Sequence, residues 1–114
     1  MRLKSELWVK AYLRRCAGEG LSGVVVRRGD ADAGTIFIKV ARLDGTADLY
    51  GPAHAGMTGL DGERSWTCIA GPSAIDADVD RLLEREHRSD SDLWVVEIED
   101  RGGRSFLDGW LADI

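Results

Sequence analysis

The chain has 114 residues, 15 of them Lys or Arg and 20 Asp or Glu, for a formal net charge of −5, and 44% of it is apolar, including four Trp, two Tyr and two Phe. That apolar share excludes a disordered chain, the acidic balance argues against a general nucleic-acid binder, and no apolar run approaches the ~20 residues that span a bilayer. Such a length fits one domain, residues 1–114, with a radius of gyration of about 13 Å, and the charged opening Met1–Glu6 lacks the apolar core of a signal peptide, so a cytoplasmic location is expected.

Ser5 to Ala17 predicts a helix, because Trp8, Tyr12 and Cys16 recur every four residues with Val9 and Leu13 beside them, while Lys10 and Arg14 fall on a polar side. Gly18 and Gly20 stop it. Gly23–Arg28 and Thr35–Leu43 are rich in β-branched residues and flank the stretch Arg27–Gly34, so they read as an antiparallel hairpin. Its tip would gather Arg27, Arg28, Asp30 and Asp32, with Gly29 and Gly34 supplying positive φ. Asp44-Gly45-Thr46 turns the chain into a third strand, Ala47–Gly51, completing a meander. Pro52–Gly62 reads as a surface loop before a fourth strand, Arg64–Ala70.

A second helix is predicted from Pro72, with Ser73 as N-cap, Asp76 completing a capping-box-like pair and Ile75, Val79, Leu82 and Leu83 as the buried stripe. Leu93–Glu99 alternates Trp94, Val96 and Ile98 with the solvent-facing Glu97 and Glu99, the mark of a strand. Residues 104–112 fit either a short helix capped by Ser105 or a returning strand. The expected class is α+β: a mainly antiparallel sheet, meander plus a later strand, with two helices over one face. One core is expected to join Trp8, Tyr12, Val25, Ile36, Ile38, Leu82, Trp94, Val96 and Ile98. Trp66 and Trp110, near element ends, are expected to be partly exposed.

Several motifs fail on context. Gly18-Glu19-Gly20-Leu21-Ser22-Gly23 spells G-x-G-x-x-G, but it follows a helix and precedes a strand, the reverse of what aims backbone N–H groups at a pyrophosphate. Arg28-Gly29-Asp30 matches an adhesion tripeptide in a chain expected to stay in the cytoplasm. Cys16 and Cys68 lack CxxC spacing and read as reduced, packed thiols, and no Cys or His has a second within four residues, so no metal and no cofactor are expected. Asp30 and Asp32 lack the later bidentate Glu of a calcium loop. A thiol–imidazole pair of Cys68 and His54, or a nuclease-like set of Glu97, Glu99 and Asp100 with Lys39 or Arg28, would need the fold to bring its members together.

Leu7–Arg15, Val26–Gly34, Asp92–Glu97 and Gly103–Leu107 together resemble the domain-of-unknown-function family 1491 of small alphaproteobacterial proteins, over nearly the whole chain. The resemblance implies a small bacterial protein and carries no activity, cofactor or partner onto any residue.

Charge is uneven: residues 1–28 hold seven basic side chains against two acidic, a net of +5, and the remainder nets −10. The function expected is therefore a non-enzymatic protein-interaction or adaptor module, binding an acidic protein partner through Arg14 and Arg15 of the first helix and Arg27, Arg28, Asp30 and Asp32 of the tip. The alternative is a small enzyme or ligand-binding domain with a polar pocket of Arg28, Asp30, Asp32 and Glu97. Nucleic-acid binding through Lys10, Arg14 and Arg15 comes third, since the rest of the chain repels phosphate.

Overall fold

The computed structural model describes residues 3–53 and 64–111. The chain runs through helix α1 (Ser5–Gly18), strands β1 (Gly23–Arg27), β2 (Ile36–Ala41), β3 (Thr46–Pro52) and β4 (Trp66–Ile75), helix α2 (Asp76–Ser89) and strand β5 (Trp94–Glu99). The class is α+β, with a radius of gyration of 13.2 Å. The five strands form one sheet in the order β1-β5-β2-β3-β4, antiparallel throughout except that β5 lies parallel to β2.

This order corrects the expected hairpin. β5 enters between β1 and β2, so β1 pairs with β5 and the two predicted hairpin partners never touch as a ladder. The reason lies in burial. β2 is buried at all six positions, and β5 at four of six, whereas the three valines of β1 remain exposed. Runs apolar on both faces belong at the centre of a sheet and the more polar strand at its edge. Of the expected meander only the β2–β3 step forms, through the turn at Asp44, whose side chain accepts from the Thr46 amide at 3.0 Å; the antiparallel run then continues to β4 and not back to β1.

The helices lie on opposite faces rather than together on one. Alternation along β2 and β5 sends Ile36, Ile38, Val40, Trp94, Val96 and Ile98 to α1, where they meet Trp8, Val9, Tyr12 and Cys16. The other face sends Phe37, Leu93 and Val95 to Val79 and Leu83 of α2, together with Ala47 and Leu49 of β3. Two cores thus replace the single one expected. Leu82 packs partly buried on the second, and Val25, 40% exposed at the edge, belongs to neither.

Helix α2 starts at Asp76, four residues later than Pro72. Residues up to Ile75 are held in β4, with Ala47 opposite Ala74 and Thr46 opposite Ile75, so Ser73 caps nothing; its amide donates to Asp48 Oδ1 at 2.7 Å. Ile75 is exposed, outside the stripe. Beyond Asp100 the described chain forms turns rather than a helix or a full strand: Trp110 N donates to Leu107 O, and Leu111 makes an isolated bridge to Trp66. Trp66, expected near the surface, is 2% exposed and donates from Nε1 to Ile36 O at 2.9 Å, while Trp110 is half-buried against Trp8.

Candidate functional site

The stretch 28–34 is not a hairpin tip but a bracket. The four leading N–H groups of a helix have no partner within it, and Lys4, the N-cap of α1, supplies no side-chain cap. The bracket fills the gap: Ser5 N donates to Asp32 O at 3.2 Å and Glu6 N to Ala31 O at 3.0 Å, while Ser5 Oγ donates to Gly34 O at 2.7 Å. Its other side is fixed to the start of β5, where Asp30 N donates to Asp92 O at 2.9 Å and Trp94 Nε1 to Asp30 O at 2.8 Å. Gly29 and Gly34 are needed for close approach and not for positive φ; a Cβ on either would collide with the Asp92 carbonyl.

The predicted site residues are accordingly dispersed. Asp30, though exposed, is turned back onto its own loop, its Oδ2 accepting from the amides of Asp32 and Ala33 at 3.2 and 2.8 Å. Asp32 stays exposed, 3.6 Å from Lys4 Nζ. Arg28 leans toward α1, donating to Glu6 Oε1 at 2.9 Å and covering the Trp94 ring at 5.1 Å from its centroid. Arg27 goes to the opposite face, where it reaches Glu84 Oε1 and His87 Nε2 of α2, each at 3.1 Å. Glu97 lies on that second face as well, so the pocket of Arg28, Asp30, Asp32 and Glu97 does not assemble. Asp100 pairs with Arg104 and Glu99 points to solvent, which leaves the nuclease-like set equally scattered. His54 falls outside the described residues, and among those described no three His, Cys, Asp or Glu are placed to hold a metal ion. Cys16 is buried, whereas Cys68 is exposed on β4 rather than packed.

Among the described residues two surfaces bear on function. The first is the outward face of α1. A helical repeat of 3.6 residues turns Trp8, Val9, Tyr12 and Cys16 to the core and leaves Leu7, Lys10, Ala11 and Arg14 outside. Leu7 is 52% exposed and Leu3, just before the helix, 51%. Glu6 sits between Arg28 and Lys10, and hydrogen bonding from Arg28 holds its carboxyl below the usual glutamate range. Arg15, at the far end, reaches Asp108 at 3.3 Å and lies 5.9 Å from the Phe106 ring centroid. The result is a partly apolar face edged with basic groups.

The second is a groove of about 310 Å³ between α2 and the sheet, lined by Val26, Arg27, Lys39, Asp80, Leu83, Glu84, Val95 and Glu97. Lys39, buried in the middle of β2, dominates it. Its Nζ donates to Asp76 Oδ1 at 2.8 Å and Asp80 Oδ1 at 2.9 Å, with Glu97 Oε1 at 3.6 Å. Burial alone would favour the neutral amine, but the bonds to Asp76 and Asp80 and the field of Glu97 outweigh it and raise its pKa above the ordinary lysine range. Sequence reading took Glu97 for a solvated face; the missed signal was a lone lysine within an otherwise apolar β2, which requires carboxylates on the facing element.

Residues 3–108 match the family described as a protein of unknown function, DUF1491. The chain belongs to the DUF1491 family. A DUF1491 protein from Caulobacter crescentus CB15 is 39% identical in its crystal structure, with a TM-score of 0.80 over 99% of this chain and 100% of that one. An NMR structure of a DUF1491 protein from the same organism is 42% identical, with a TM-score of 0.78 over 99% of each chain. Protein Atu0922 from A. tumefaciens, solved in solution, is 41% identical, with a TM-score of 0.75 over 87% of this DUF1491 chain and 86% of its own. No curated protein matches.

Proposed function

We propose that this chain is a non-enzymatic protein-interaction module, one cytoplasmic domain over residues 1–114, whose docking face is the outer surface of α1. The observation that carries the reading is the half-exposed pair Leu3 and Leu7 in line with Lys10 and Arg14, next to Arg28. Apolar side chains give such a contact affinity, while the basic edge selects an acidic partner and steers its approach. Of the residues expected at the tip, Arg28 belongs to this face; Asp30 and Arg27 serve the fold instead. The acidic remainder of the chain disfavours a nucleic acid on the same surface.

Affinity capture from the native cell extract, with wild type beside Leu7→Asp/Arg14→Gln, tests the reading at low and moderate salt. Both positions are exposed, so the melting temperature should hold while a set of acidic proteins is lost from the variant and thins with salt on the wild type. Identical capture by both proteins would overturn it.

A second reading, a small-ligand site, has the α2 groove in its favour. Its charged groups, Lys39 above all, are already paired with one another. A ligand would have to displace those pairs, which makes this the weaker assignment.

A further inference from the structure

The last described residues, 108–111, lie as a flap on the first core. The segment just before them is anchored: Leu107 is fully buried, and Tyr12 Oη donates to Ser105 O at 2.6 Å. The flap itself is held by less. Trp66 N donates to Trp110 O at 2.8 Å, Leu111 makes one bridge to Trp66, and the exposed Asp108 carboxylate lies 3.3 Å from Arg15 Nη2. Its turn is closed by Trp110 N donating to Leu107 O, and Gly109 supplies the left-handed backbone there, at φ 86°. Under the flap lie the buried rings of Trp8 and Trp66, their centroids 5.3 and 6.5 Å from that of Trp110. Trp8 Nε1 has no hydrogen-bond partner although Trp8 is only 4% exposed, a defect that closed cores avoid.

We propose that residues 108–111 are an autoinhibitory flap, an internal stand-in that leaves Trp66 and Arg15 while the sheet stays folded and yields its seat to an acidic, apolar segment of the protein partner. This rests on the reading of α1 as the docking helix for an acidic protein. The flap itself shows what the seat accepts: a carboxylate for Arg15 and apolar side chains, Trp110 and Leu111, for the aromatic floor and the start of β4. Arg15 adjoins Arg14 on α1, so release of Asp108 adds a cation to the basic edge of the docking face. A partner segment with the same chemistry and an acceptor for Trp8 Nε1 makes the contacts of the flap and one more. Opening leaves Leu107 and the Tyr12 hydrogen bond in place, so the first core keeps its anchor.

Native-state hydrogen exchange of the full chain reads the opening at the Trp66 amide, whose acceptor is Trp110 O. That amide should exchange at a rate nearly independent of low urea, whereas the amides of Ile38 and Val96 should follow urea with the slope of global unfolding. Competition for the seat is read by NMR titration with a synthetic peptide of residues 104–111. Gly109→Ala adds a Cβ that meets nothing within 4 Å but disfavours the left-handed backbone of the closed flap. The full-length variant should therefore bind the peptide roughly tenfold more tightly than wild type, with shifts at Trp66 and Arg15. A peptide carrying Asp108→Asn and Trp110→Ala should not bind. A Trp66 amide that shares the global slope would overturn the proposal, as would equal affinity of the two proteins for the peptide or no binding by either. Neither measurement involves the partner, so failure here is read apart from failure of the capture through α1.

Discussion

Lys39 shows how one charged residue can be built into an apolar strand. Three carboxylates from α2 and β5 face its ammonium, and since Asp80 is 60% exposed they can rehydrate if it is removed. Lys39→Met should therefore cost about 1–3 kcal/mol in denaturant melts, less than a fully buried pair would lose. Asp100 gives a pH-dependent counterpart. Hydrogen bonding from Arg104, against the opposing effect of burial, holds its carboxyl below the usual aspartate range. A depressed folded-state pKa stabilises above the unfolded value, and this contribution disappears as pH falls through the folded one. Asp100→Asn should thus melt below wild type at neutral pH, and the gap should close in acid; a gap constant with pH would refute the pairing. The cysteines also divide: desolvation raises the pKa of both thiols, but Cys68 is exposed and Cys16 buried, so a thiol reagent should modify Cys68 in the native protein and Cys16 only after unfolding.

Elements are held by contacts distant in sequence. The bracket at 28–34 caps α1 and fastens it to the start of β5, and it lies too close to Asp92 to admit a Cβ at Gly29. Gly29→Ala should destabilise by about 1–3 kcal/mol through overpacking, a loss that exposed-tip glycines would not show in thermal or urea melts. On α2 the buried residues are Val79 and Leu83, with Leu82 at their margin. Leu83→Ala should cost roughly 2–5 kcal/mol and Leu82→Ala about 1 kcal/mol; the reverse order would mean that the helix is rotated on the sheet. The face of α1 was legible in the sequence because its 3.6-residue apolar period has one solution. The start of α2 was not, since Pro72-Ser73 has good capping chemistry that pairing with β3 overrides.

At the scale of the whole molecule, helix and strand identities, the α+β class and the basic outer side of α1 follow from composition and periodicity alone, because these are properties of neighbours in the chain. The charged stretch Arg27–Gly34 was equally visible, but its role was not: two strands flanking a short glycine-bounded loop look like a hairpin whether or not a third strand enters between them. Sheet order, the division into two cores, and the separation of Arg27 from Arg28 onto opposite faces were decided only when β5 took the centre beside β2. That choice is tertiary because it maximises burial of two strands that are apolar on both sides and more than 50 residues apart, a competition that no local window of sequence contains.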